Sequence, residues 1–122
     1  MKVLLIEDEG DIRELLGDFL QMLGHETILA ADGMEGQEKI AEGGLDLVIS
    51  DCDIPSLDEG LTVLKVVGPK IPKVLMSGRT ENLAAKAASV GAIPLLKPFT
   101  FQEVRTLLEK VAKKPRRAEI AV

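Results

Sequence analysis

Four short stretches hold the residues able to do chemistry. They are Glu7-Asp8-Glu9, Ser50-Asp51-Cys52-Asp53, Ser77-Gly78 and Lys97-Pro98, and each follows an apolar run. Carboxylates drawn into one place repel one another, and the arrangement is tolerable when a cation shares it. Hard oxygen ligands with room for water favour Mg²⁺ over zinc. Zinc's usual ligands are scarce in a chain whose only cysteine is Cys52 and whose only histidine is His25. His25 falls in a predicted loop away from the acids and is expected to be solvated. Lys97 stands in an apolar stretch, Leu95-Leu96-Lys97-Pro98-Phe99, where a lysine is seldom buried without a partner.

Taken one at a time, these residues have ordinary explanations. Asp8, Glu9 or Asp11 would serve as N-caps for a following helix, and a serine such as Ser77 is commonly a turn residue. Asp51 is harder to dismiss, because it emerges directly from the run Leu45-Asp46-Leu47-Val48-Ile49-Ser50. Four strand ends bearing complementary groups in this order say more than any one of them.

The elements that must position these groups can be read from periodicity. Short runs apolar on both faces occur at Val3–Ile6, Leu45–Ser50, Lys73–Met76 and Ile93–Leu96, with a weaker one at Glu26–Ala30. They suit buried parallel strands. Ile12, Leu15, Leu16, Phe19, Leu20 and Leu23 recur at the spacing of one helix face, and Gly24 follows as a stop. Val104, Leu107, Leu108 and Val111 repeat that spacing, and Met34–Glu42, Asp58–Val67 and Thr80–Val90 read as three further helices. Five strands alternating with five helices predict βα units around a parallel sheet. Ligands of such sheets bind beyond the carboxyl ends of the strands.

Composition narrows the class. At 122 residues, 46% hydrophobic and 29% charged, the chain is expected to form one domain with a core of its own. No apolar run nears the roughly 20 residues of a membrane span, and the N-terminus lacks the apolar region of a secretory signal. A single cysteine permits no intrachain disulfide, which points to a cytoplasmic protein with reduced thiols. The net charge of −5 is unevenly placed, with an acidic body and five basic residues among the last thirteen. An acidic body argues against direct nucleic-acid binding. The expected organisation is a domain over residues 1–113 and a basic tail over 114–122, solvated or touching an acidic partner or headgroups.

As a set, VLLIEDE, LDLVISDCDIP, VLMSG and GAIPLLKPF resemble the receiver domain of two-component response regulators, the family of the single-domain chemotaxis regulators. The resemblance runs from Lys2 to about Lys113. It implies a flavodoxin-like (βα)5 fold, a three-layer sandwich with parallel sheet order 2-1-3-4-5. It also implies phosphorylation on an aspartate by a histidine kinase or phosphotransfer protein, and signalling to a downstream effector protein. Asp51 matches the phosphoacceptor. Asp8 matches the direct Mg²⁺ ligand, Glu7 the acid that helps through water, and Asp53 the residue whose backbone carbonyl joins them. Ser77 matches the hydroxyl that bonds a phosphoryl oxygen, and Lys97 the lysine that meets the phosphoryl group. The Lys97-Pro98 bond matches one that is usually cis. Such a domain is a switch more than an enzyme, with intrinsic autophosphatase activity at most.

Three departures stand out. The position of the family's switching aromatic, three before the lysine, holds Pro94, and the chain has no Tyr or Trp. The family's Pro-x-x-Asp-Gly is here Pro55-Ser56-Leu57-Asp58-Glu59-Gly60, one residue longer. Asp53 and Arg79 occupy positions that tune phosphoryl lifetime in relatives, and here they either pair and screen the site or stand apart in solvent. Two other functions remain in view: the receiver portion of a larger regulator or hybrid kinase, and a small α/β nucleotide-binding enzyme. The second lacks support, because neither GxxxxGK[ST] nor GxGxxG follows the first strand. Oligomeric state is left open.

Overall fold

A computed structural model describes residues 1–113. Five strands and five helices alternate: β1 Lys2–Ile6, α1 Gly10–Met22, β2 Glu26–Ala30, α2 Gly33–Glu42, β3 Leu47–Asp51, α3 Glu59–Lys65, β4 Lys73–Ser77, α4 Leu83–Ser89, β5 Ala92–Leu96 and α5 Phe101–Lys113. The strands form one parallel sheet in the order β2-β1-β3-β4-β5, as the resemblance implies.

Alternating side chains on each strand feed two cores. Val3 and Leu5 of β1 join Leu16, Phe19 and Leu20 of α1 and Val104, Leu108 and Val111 of α5 on one face. Leu4 and Ile6 join Val63 and Leu64 of α3 and Leu83 and Ala87 of α4 on the other. Leu4, Leu5 and Ile6 are wholly buried, each contributing about 1.5–3 kcal/mol by leaving water. The rings of Phe19 and Phe101 stack 4.4 Å apart, tying the start of α5 to α1. Strands packed on both sides explain why β1, β3 and β4 read as unbroken apolar runs. At the edge, β5 tolerates Pro94 in mid-strand, opposite Leu75 of β4.

The boundaries differ most from the sequence reading in three places. Leu45 lies outside β3, because Asp46 turns to bond Lys2 through both its backbone N–H and its carboxylate, each at 2.8 Å, leaving the strand to begin at Leu47. The third helix spans Glu59–Lys65, not Asp58–Val67, and the fourth Leu83–Ser89, not Thr80–Val90. Each is preceded by a residue in the left-handed conformation, Asp58 at φ 58° and Asn82 at φ 56°, where a helix cannot begin. The basic tail over 114–122 lies outside the described residues.

Candidate functional site

The carboxyl ends of β1, β3, β4 and β5 meet at one rim of the sheet. Asp51 ends β3 and Ser77 ends β4, while Glu7 and Lys97 each stand one residue beyond their strands. Registry carries this geometry: Ile6 pairs with Ser50, Asp51 with Met76 and Ser77 with Leu96. Two backbone bonds continue the ladder past the strands, Cys52 N–H to Met76 O at 2.7 Å and Lys97 N–H to Ser77 O at 2.8 Å.

Lys97 reaches into the rim and donates from Nζ to Glu7 Oε2 at 2.9 Å and to Asp51 Oδ2 at 3.1 Å. This pairing answers the puzzle of a lysine in an apolar stretch. Glu7 is fully buried and Asp51 nearly so. Burial pushes the Glu7 carboxyl above its ordinary range; Lys97 offsets part of that rise and Asp51 adds to it. Burial likewise raises Asp51, against the pull of Lys97 and with a push from Asp8. For Lys97, burial acts to discharge the ammonium, but the bonds and charges of Glu7 and Asp51 outweigh it and raise its pKa. The lysine therefore remains a cation.

Carboxylate oxygens of Glu7, Asp8 and Asp51 all lie within 4.8 Å of one another. One lysine against three acids leaves the rim with excess negative charge, and no chain hydrogen bond to the Asp8 side chain occurs among the described residues. An all-oxygen donor set with that excess fits a hard divalent ion such as Mg²⁺. The helix-capping alternative for these acids fails: Glu9 is the N-cap of α1 without a side-chain capping bond, and Asp11 lies in its first turn.

The remaining predicted residues are placed as follows. Ser77 is buried, and its Oγ accepts from Arg79 N–H at 3.0 Å. Asp53 and Arg79 pair: Nε donates to Asp53 Oδ2 at 3.1 Å and Nη2 to Oδ1 at 2.9 Å. Lys97-Pro98 is cis, and so is Ile54-Pro55, which the sequence did not announce. Pro94 is exposed on the edge strand, away from the acids. His25 is half-buried and lies outside the acidic group, with Nδ1 3.1 Å from the N-terminal amine.

Four residues at the site escaped sequence reading. Arg13 Nη1 donates to Glu7 O at 2.8 Å and Asp8 O at 3.4 Å, clamping the loop that presents both acids. Gly60 lets α3 start against β3: its N–H bonds Cys52 O at 2.7 Å, and a Cβ there would collide with the Asp51 carbonyl oxygen. Asp58 accepts from Arg79 Nη2 at 3.1 Å and from Lys86 Nζ of α4 at 2.9 Å. Cys52, Asp53 and Asp58 thus form a second acidic group, but Arg79 and Lys86 already neutralise it. Arg13, about one turn into a helix after an acidic loop, and Gly60, a displaced glycine, left a signal in the sequence.

A (βα)5 sandwich of this strand order, with an acidic rim at the carboxyl end of its sheet, is a flavodoxin-like α/β protein. Within that class the response regulator receiver domain matches residues 3–109, and the chain belongs to this family. It is 30% identical over 113 residues to the sporulation initiation phosphotransferase F of Bacillus subtilis, covering 89% of this chain and 91% of that protein. It is 35% identical over 119 residues to a probable chemotaxis protein CheY of Rhizobium etli, covering 91% and 92%. Among solved structures, the response regulator TrrA of Thermotoga maritima in complex with Mg²⁺-BeF superposes with a TM-score of 0.80 at 29% identity, covering 91% of this chain and 99% of that one. The protein is therefore a receiver domain of two-component signalling. No helix among the described residues is long and apolar enough to cross a membrane.

Proposed function

We propose that Asp51 accepts a phosphoryl group from a histidine kinase or phosphotransfer protein, and that the resulting charge switches the face formed by α4, β5 and α5 toward an effector protein. The observation that carries this reading is the position of Lys97 Nζ, shared between Glu7 Oε2 and Asp51 Oδ2 beside the open carboxylate of Asp8.

In this reading an Asp51 carboxylate oxygen attacks phosphorus in line. The bond from phosphorus to the donor imidazole breaks, the imidazole leaves with its electron pair and takes up a proton, and an acyl phosphate remains. Asp8 and Asp51, the backbone carbonyl of Asp53 and, through water, Glu7 would hold Mg²⁺. When bound, that ion supplies positive charge against the phosphoryl oxygens. Lys97 brings a compact second cation, already charged and aimed at Asp51. Ser77, at the neighbouring strand end, turns its hydroxyl from Arg79 N–H to a phosphoryl oxygen and draws the β4–α4 loop after it. Water later splits the acyl phosphate, so the domain acts as a self-resetting switch without an outside substrate. The proposed setting is the cytoplasm, where a free thiol such as that of Cys52 stays reduced.

The test is exposure to acetyl phosphate with and without Mg²⁺, followed by intact mass. One added phosphoryl group is expected with the metal, and none in Asp51→Asn. Labelling retained in that variant places the acceptor elsewhere.

A further inference from the structure

Arg79 does not stop at Asp53. Its Nη2 also meets Asp58 Oδ1 at 3.1 Å, and the same oxygen accepts from Lys86 Nζ at 2.9 Å. Asp58 is fixed from below as well: its backbone N–H donates to Asp53 Oδ1 at 2.8 Å, and the Cys52 thiol donates to its Oδ1 at 3.3 Å. The outcome is a ladder of alternating charge, Asp53–Arg79–Asp58–Lys86, running from the residue two places after the phosphoacceptor to the middle of α4.

Isolated surface pairs contribute little, whereas a bidentate arginine inside a network holds its geometry. All four side chains here are only partly exposed, from 22% for Lys86 to 38% for Arg79. Through its backbone, Arg79 also bonds Ser77 Oγ at 3.0 Å. Arg79 is thereby tied by its guanidinium to Asp53, two places after Asp51, and by its backbone to the end of β4, so that its guanidinium would flank the mouth by which water reaches an acyl phosphate on Asp51.

We propose that Lys86, acting through Asp58, is a positioning residue that holds the Arg79 guanidinium over this mouth, so that the seating of α4 sets the lifetime of the phosphoryl group. The inference rests on the proposed role of Asp51 and extends it beyond the Asp53–Arg79 pair to a helix of the output face. Linkage makes the effect reciprocal: a partner that moves α4 alters phosphate loss, and occupancy of Asp51 alters α4.

The experiment loads the full chain with acetyl phosphate and Mg²⁺, removes the donor and follows phosphate loss by intact mass. Lys86→Met and Asp58→Asn are each expected to lose phosphate roughly two- to fivefold faster, the range that coupling through a partly exposed ion pair supports. Lys86→Arg keeps the wild-type rate. Adding Lys86→Met to Arg79→Ala is expected to change nothing further, a non-additivity that a merely structural contribution of Lys86 would not give. An unchanged or slower rate in Lys86→Met, or additive effects in the double variant, overturns the proposal. Wild-type chain that takes up no phosphoryl group overturns the reading of Asp51 itself, and this inference with it; uptake is scored before loss, so the two failures are distinct.

Discussion

Replacing Lys97 with methionine removes the only ammonium among the described residues within hydrogen-bonding distance of Glu7 and Asp51, while keeping most of the side-chain volume. Its two contacts, 2.9 and 3.1 Å, are made in a rim where Glu7 is fully buried and the Asp51 and Lys97 side chains are 12% and 18% exposed. Breaking a buried pair by deleting one partner costs about 3–5 kcal/mol, because the remaining charge is uncompensated. The residual exposure of Asp51 and Lys97 trims this to about 2–4 kcal/mol for the metal-free protein. Glu7 and Asp51 already titrate above their ordinary values, and loss of the cation raises them further. For an acid whose folded pKa is raised, the cost is present above that pKa and is relieved as pH falls through it. The destabilisation of Lys97→Met is thus expected to be largest near pH 8 and distinctly smaller near pH 5, with millimolar Mg²⁺ recovering part of the loss at the higher pH. Urea unfolding followed by far-ultraviolet circular dichroism is the assay, since a chain without Trp or Tyr offers no intrinsic fluorescence to speak of. An equal loss at both pH values, or one below about 0.5 kcal/mol near pH 8, would refute the argument that charge pairing governs this rim.

Two further outcomes follow from the geometry. Gly60→Ala drives a Cβ into the Asp51 carbonyl oxygen and displaces the start of α3; it is expected to lower stability by about 1–3 kcal/mol and to slow phosphoryl uptake, and an unchanged urea midpoint contradicts the close approach. Asp58 is held down to about 2 from an ordinary 3.8 by its bond from Lys86 first, then by those from Cys52 and Arg79. Its stabilising contribution is therefore complete above 3.8 and lost as pH falls through about 2. Acid titration by circular dichroism should show wild type more stable than Asp58→Asn at mildly acidic pH, with the difference closing toward pH 2; a gap that persists there argues against the ion pairs as its source.

Most of the site was legible because a parallel sheet converts order along the chain into position. Any residue just past a buried apolar run of four or five must arrive at the same rim, so Glu7, Asp51, Ser77 and Lys97 could be brought together from strand ends alone. What could not be read was lateral. Asp53, Asp58 and Arg79 come from the connections between strands and helices and Lys86 from α4; beyond the Asp53–Arg79 pair, which the sequence offered as one of two readings, their pairing depends on where α3 and α4 begin. Those starts are set by Asp58 and Asn82 in the left-handed conformation, which neither residue type demands. Gly60 was visible as a displaced glycine, but its need became clear only from the backbone pressed against Asp51. The strand boundary at Leu47 likewise turned on a long-range bond from Asp46 to Lys2, and no local pattern contains it.

Pro94 constrains how such a site can speak to its surface. A ring fixed in mid-strand at the exposed edge has no rotamer that could swing between two pockets, and no Tyr or Trp elsewhere in the chain could substitute. Two described connections still join the rim to the neighbouring face. One is backbone, Lys97 N–H to Ser77 O, which ties the end of β5 to the hydroxyl-bearing end of β4. The other is the charge ladder through Arg79 and Asp58 to Lys86 on α4. The first is a continuation of the sheet and moves only with it. The second consists of side chains held by charge, and under the proposed phosphorylation of Asp51 a new dianion beside Asp53 would act on the same guanidinium. Of the two, the ladder is the element whose arrangement an added phosphoryl group can change without disturbing the sheet.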